Sequence, residues 1–163
     1  MVSAVARACP ALGDYALQPP GSFAGLMGLY GHNWRQLLVL APGLAELSGV
    51  LVAEVPGLPP LYLRVRERTP YTTRLLLTHL FPEADGWRAD PALPVRVYHD
   101  ARLAEVEPPG RTARNPRWAL EQRWRLNHFL DRWLAYSIAS GYRFAAGAAV
   151  EAAAAERLEA ALA

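Results

Sequence analysis

The stretch Pro94-Val95-Arg96-Val97-Tyr98-His99-Asp100-Ala101-Arg102-Leu103-Ala104-Glu105-Val106-Glu107 decides the fold. Val95 and Val97 alternate with Arg96 and Tyr98, the period-2 pattern of a half-buried strand. Asp100-Ala101 supplies a two-residue turn, and the second arm runs back through Ala104 to Val106. This register pairs His99 with Arg102, Tyr98 with Leu103, Val97 with Ala104, Arg96 with Glu105 and Val95 with Val106. Directly paired residues share a face. Val95, Val97, Ala104 and Val106 therefore go to one side, and Arg96, Tyr98, Leu103 and Glu105 to the other. A slip of one residue would mix the two sets, so burial of the valines specifies the register.

Working outward, the chain continues the same logic. Leu61 to Glu67 and Tyr71 to Phe81 read as two strands around Arg68-Thr69-Pro70. A three-residue loop pairs Glu67 with Tyr71, Val65 with Thr73, Leu63 with Leu75 and Leu61 with Leu77, leaving one face apolar. The opposite face carries Arg64, Arg66, Thr72 and Arg74, with Arg64 and Arg74 predicted to face each other. Val50 to Val55 reads as a first strand. Residues 82–93, with Pro82, Gly86 and Pro91, read as a loop pinned by Trp87.

Helices flank this sheet. Ser22 is a plausible N-cap for a helix over 23–40, with Phe23, Leu26, Met27, Tyr30, Trp34, Leu37 and Leu38 as its apolar stripe. Gly25, Gly28 and Gly31 weaken that helix and leave room for a close neighbour. Asn115-Pro116 starts a long helix that runs to Ser140, closed by Gly141. Its buried stripe comprises Trp118, Leu126, Phe129, Leu130, Trp133 and Leu134, with Glu121 and Arg125 as an exposed pair. The expected layout is a flexible leader over 1–21, one α+β domain over 22–144, and an Ala-rich helical or frayed tail over 145–163 with little to bury. The domain is an antiparallel sheet of about five strands in a meander, because the connections are too short for helical crossovers. An N-terminal helix and a long C-terminal helix cover one face and leave the arginine face free.

Composition excludes several classes. A chain of 163 residues, 52% apolar and 20% charged, suits one domain with its own core. All 17 basic residues are arginine, a usage that fits a GC-rich coding sequence as well as planar anion recognition. A net charge of only +2 gives no global nucleic-acid signature. The single cysteine, Cys9, rules out an intrachain disulfide framework and a cysteine metal site and suits a reducing cytoplasm. No run of 18 apolar residues is present, so no transmembrane helix is predicted.

Four stretches carry a resemblance: Leu29-Tyr30-Gly31-His32-Asn33; Glu67-Arg68-Thr69-Pro70-Tyr71-Thr72-Thr73; Val95 to Ala101 with Ala104-Glu105-Val106; and Asn127-His128-Phe129-Leu130 with Trp133-Leu134. Together they resemble the YqiB-like family of bacterial domains of unknown function, over residues 26–142. The resemblance implies a compact bacterial domain and no particular reaction, cofactor or catalytic residue. Arg64, Arg66 and Arg74 as a set lie outside the matching motifs.

The leading expectation is a non-enzymatic cytoplasmic binding module, with no cofactor, no metal and no membrane. Its candidate surface is Arg64, Arg66, Arg74, Arg96, Tyr98 and Glu105, with Glu67, Tyr71, His99 and Asp100 at the adjoining turns. The arginine fork suits an anionic small molecule or an acidic protein segment. One alternative is a nucleic-acid-associated protein using Arg111, Arg114, Arg117 and Trp124. Another is a small enzyme centred on Tyr71, His99 and Asp100. Against the enzyme, neighbours on a strand point to opposite faces, and Asp100 has a turn role of its own. His32, His79 and His128 lack metal-site spacing and read as surface or helix-polar residues.

Overall fold

A computed structural model describes residues 21–108, 116–145 and 152–163. The leader with Cys9, the Arg111 and Arg114 loop, the Asn115 cap and the side chains of Arg117 and Trp118 lie outside the described residues. The element order is α1 (Phe23–Leu40), β1 (Val50–Ala53), β2 (Leu61–Arg68), β3 (Thr72–Glu83), β4 (Gly86–Tyr98), β5 (Leu103–Val106), α2 (Pro116–Ala139) and α3 (Ala152–Leu162). The strands form one antiparallel sheet in the meander order β1-β2-β3-β4-β5. This is the predicted α+β architecture.

The β4–β5 hairpin has the predicted register, from Val95 opposite Val106 to Tyr98 opposite Leu103. Val95, Val97, Ala104 and Val106 are buried together. The turn differs in detail. Arg102 takes the left-handed conformation, with φ 56°, and Asp100 Oδ1 accepts the Ala101 N–H at 2.9 Å. Pro94 sits inside β4 without breaking the ladder. Its carbonyl accepts the Glu107 N–H at 2.8 Å, so its nitrogen points to the same side, where β5 has ended.

The β2–β3 hairpin departs from the predicted register. Leu61 lies opposite His79, Leu63 opposite Leu77 and Val65 opposite Leu75, a displacement of two residues along β3. The tip is Pro70-Tyr71, because Thr69 and Thr72 close on each other. Thr69 N–H donates to the Thr72 carbonyl at 2.8 Å, and Thr72 N–H donates to Thr69 Oγ1 at 3.1 Å. Such a tight tip would pair apolar with polar positions further down. A bulge between Val65 and Glu67 absorbs Arg66 and restores the apolar face. Residues 82–93 are not a loop but the far end of a long β3–β4 hairpin, in which Glu83 pairs with Gly86.

One sheet face carries the main core. Leu61, Leu63, Leu75, Leu77, Val95 and Val97 pack against Leu37 and Leu40 of α1 and Leu130 and Leu134 of α2. Ser22 caps α1 by accepting the Gly25 N–H at 3.0 Å. Gly25 then admits the Trp124 ring, since a Cβ there would lie 2.9 Å from it. Gly141, at φ 95°, ends α2; the Tyr142 N–H reaches the Ser137 carbonyl and the Gly141 N–H the Ile138 carbonyl, closing the helix in a Schellman arrangement. The apolar stripes needed two corrections. Phe23 and Phe129 are exposed, and Leu29 and Leu40 of α1 and Ile138 of α2 take buried places. Polar residues share the buried sides: His32, Asn33 and Gln36 on α1, Asn127 and Ser137 on α2.

The second sheet face is not wholly free. Ala154 and Leu158 of α3 bury themselves against Val50, Tyr62 and Leu80, with Trp87 at the margin. Arg157 lies 5.4 Å above the Trp87 ring. The expectation that the Ala-rich tail has little to bury is therefore overturned. Small alanines let the helix approach the sheet closely, and the fully buried Leu158 anchors it with Leu162 partly buried beside it.

Two outcomes follow for stability. Val97→Asp should unfold the domain, costing more than about 4 kcal/mol, because it buries an unpaired charge. A circular-dichroism melt matching wild type would mean the hairpin faces are reversed. Leu158→Ala should cost about 2–3 kcal/mol; an unchanged melting temperature would show that α3 does not hold the sheet in solution.

Candidate functional site

The corrected β2–β3 register changes which arginines meet. Arg64 pairs across the sheet with Val50 and Leu76, not with Arg74. Arg74 lies directly opposite Arg96 on β4 and opposite Glu67 on β2. Two like charges face to face are unfavourable unless answered. Glu107, just past the end of β5, answers both. Arg74 donates from Nε to Oε1 at 2.6 Å and from Nη2 to Oε2 at 2.9 Å, while Arg96 Nε donates to Oε1 at 3.1 Å. Glu67 takes the third Arg74 contact at 3.0 Å. The Arg74 hydrogen bonds hold the Glu107 carboxyl below the usual carboxylate range, and Glu107, then Glu67, push the Arg74 guanidinium up. Sequence reasoning missed Glu107, although it continues the alternation of β5 by one step.

The other face residues separate into different settings. Arg64 Nη1 pairs with Glu159 of α3 at 2.7 Å. Glu105 faces Arg96 in register, but its carboxylate turns elsewhere: it accepts from the Tyr98 hydroxyl at 3.0 Å and from Arg123 Nη1 of α2 at 2.9 Å. The same arginine lies beside Tyr30, whose phenol is pushed up to about 12 chiefly by burial. Thus Glu67, Arg74 and Arg96 gather on Glu107 or Arg74, Tyr98 and Glu105 meet beside Arg123, contact between Arg96 and Tyr98 joins the two groups, and Arg64 stands under α3.

The two hairpin tips meet at one end of the sheet. The His99 N–H donates to the Tyr71 carbonyl at 2.9 Å. His99 Nε2 and Thr73 Oγ1 share a hydrogen bond of 2.8 Å. Burial, reinforced by the Arg68 charge, lowers the His99 pKa, against a weaker pull from Asp100. Asp100 Oδ1 is held in its own turn, and His99 Nε2 bonds Thr73 rather than Asp100. Tyr71 is 67% exposed. Arg66, Arg68 and Arg102 are also exposed, and among the described residues none of the three has a carboxylate partner.

Two histidines expected at the surface are buried. His79 Nδ1 lies 3.0 Å from the Pro60 carbonyl, and its ring meets Trp133 edge-on at 5.5 Å; burial lowers its pKa. His32 Nε2 lies 3.2 Å from Asp131 Oδ1. It belongs to a polar seam between α1 and α2. Gln36 Nε2 donates to Asp131 Oδ1 at 2.6 Å, Asn33 Nδ2 to the Asn127 carbonyl at 3.3 Å, and Asn127 Oδ1 accepts the Val106 N–H at 2.9 Å. His128 is exposed, as predicted. Trp124 is half-buried, its ring packed against Gly25 and its Nε1–H donating to the Ser22 carbonyl at 3.0 Å. Among the described residues no group of three or more His, Cys, Asp or Glu could hold a metal ion, and no helix is long and apolar enough to cross a membrane.

Comparison with known proteins matches residues 36–143 to the family described as protein of unknown function (DUF1249). The chain is 32% identical over 128 residues to the uncharacterized protein YqiB of Escherichia coli K12, covering 73% of this chain and 90% of that protein. The YqiB proteins of Escherichia coli O6:H1 and O157:H7 match to the same extent. No solved structure matches.

The shared carboxylate gives a direct test. Glu107→Gln should cost about 1–2 kcal/mol, since it leaves Arg74 and Arg96 opposed without their common counter-ion. Combined with Arg96→Ala, the losses should be markedly less than additive in a double-mutant cycle read by urea melts. Strict additivity would show that Glu107 does not serve both arginines.

Proposed function

Because this chain belongs to the DUF1249 family, whose description assigns no reaction, its role has to be read from its surface, and we propose a non-enzymatic interaction module that takes an acidic partner at the paired hairpin tips. One observation carries this reading. The sheet arginines Arg64, Arg74, Arg88 and Arg96 are each answered by a carboxylate. Arg66, Arg68 and Arg102 have none among the described residues and lie with Tyr71 toward the tip end. Unanswered guanidinium groups keep their planar donors available for carboxylates or phosphates. An exposed tip surface suits an extended acidic segment better than an enclosed metabolite. The proposal includes a cytoplasmic setting, on the single cysteine that a reducing compartment would leave unpaired.

Of the residues that would carry an enzyme, His99 and Asp100 have local hydrogen-bond partners and the Tyr71 side chain is exposed. His99 bonds Thr73, Asp100 bonds its own turn, and Tyr71 contributes its carbonyl to hold the second tip.

The test is calorimetric titration with a poly-glutamate peptide at low and high salt. Wild type should bind, with affinity falling as salt rises. A triple Arg66→Ser, Arg68→Ser, Arg102→Ser variant should melt like wild type and bind at least about tenfold more weakly. Substituting the exposed Arg35 and Arg143 should leave binding intact. Binding that survives the triple substitution places the acidic partner elsewhere.

A further inference from the structure

The outer side of α2 carries a ridge that neither the core nor the hairpin tips use. Arg125, Phe129, Arg132 and Tyr136 recur at spacings of four, three and four, so they line one track of a helix with 3.6 residues per turn. All four are exposed, Phe129 by 48% and Tyr136 by 55%. The ridge is seated on the body of the protein, because Phe129 stacks on Trp133 at 6.5 Å and Trp133 leans on His79. Asp131, the acid lying between the two arginines in sequence, is drawn inward to Gln36 and His32. Among the described residues no carboxylate forms an ion pair with Arg125 or Arg132.

The order along the ridge is cation, aromatic, cation, aromatic. A two-fold axis requires a surface that complements itself. Place such an axis across α2 midway between Leu130 and Asp131, with the two helices antiparallel. Arg125 then faces Tyr136 of the partner subunit, and Phe129 faces Arg132 of the partner subunit. Symmetry repeats both pairs, so four cation–aromatic contacts form and no arginine faces an arginine. A parallel pairing in register would do the opposite, opposing arginine to arginine at two levels. The alternation is thus complementary to a reversed copy of itself.

We propose that the protein self-associates as an antiparallel two-fold dimer through the Arg125, Phe129, Arg132 and Tyr136 ridge of α2. The ridge spans about 16 Å at 1.5 Å per residue, a short contact, so the dimer is a weak one with a dissociation constant on the order of tens of micromolar. This inference rests on α2 alone and is independent of the acidic partner at the hairpin tips.

Sedimentation velocity over a range from about 1 to 300 μM should show a monomer passing into a dimer as concentration crosses that dissociation constant. The double variant Phe129→Ser, Tyr136→Ser touches only exposed positions and should stay monomeric while keeping its melting temperature. The register is read by disulfide trapping in a Cys9→Ser background. Arg125→Cys mixed with Tyr136→Cys should cross-link readily, because the two positions lie level and the other three contacts persist. Either variant alone should not, since like positions are about 16 Å apart along the axis, beyond disulfide reach. A chain monomeric throughout the range overturns the proposal, as does a dimer that survives the double substitution or cross-links like with like. Monomeric protein whose ridge instead retains a single-stranded oligonucleotide would also overturn it and assign these aromatics to nucleic-acid stacking.

Discussion

The architecture hangs on one buried amide. Asn127 of α2 is fully buried, and its side-chain oxygen accepts the N–H of Val106 at the end of β5 while its nitrogen donates to the Arg123 carbonyl one turn back. Its own backbone carbonyl receives Asn33 of α1. A buried amide left without partners would cost more than its hydrogen bonds contribute, and Asn127 has a partner for both its oxygen and its nitrogen. That pairing places α2 against the edge strand and α1 against α2. With them it brings Arg123 of α2 to Glu105.

The sheet was largely legible in the chain, and the polar seam was not. Strict alternation in Val95 to Val106 specified the register of β4 and β5 to the residue, because any slip would have exposed the valines. β2 and β3 obeyed the same rule by a route the pattern could not show. Their apolar face is kept by a bulge at Arg66 that compensates a tighter tip, and one extra residue leaves no mark in an alternation that is already irregular there. Pro82 and Pro91 suggested a loop where a long hairpin continues, since local turn chemistry was weighed without the partner strand. The seam residues His32, Asn33, Gln36 and Asn127 carry no apolar signal at all. The stretches that hold His32, Asn33 and Asn127 stood out only through resemblance to a family, and Gln36 lay outside them.

The candidate face shows how charge is distributed once the register is corrected. Arginines that looked like a shared anion site are mostly satisfied by carboxylates that are distant in sequence, Glu107 and Glu159 among them. Neither acid is a near neighbour of the arginine it meets, so composition and spacing overstated the free positive charge. What remains unanswered has moved toward the hairpin tips, where Arg66 is the bulged residue, Arg68 ends β2 and Arg102 adopts its left-handed turn. The backbone irregularities of the two hairpins thus present the charges that the regular strands neutralise.

The short outer strands have a consequence for how the protein behaves at high concentration. A leucine-rich sheet with open edges would template pairing with neighbouring chains. Here both outer strands, Val50–Ala53 and Leu103–Val106, are only four residues long. Peeling β5 away would also strip Glu107 from Arg74 and Arg96 and Asn127 from Val106, uncovering two cations and a buried amide at once. The Val95–Tyr98 part of β4 is thereby kept from pairing with a neighbouring chain by the ion pairs and the amide contact that hold β5 on it.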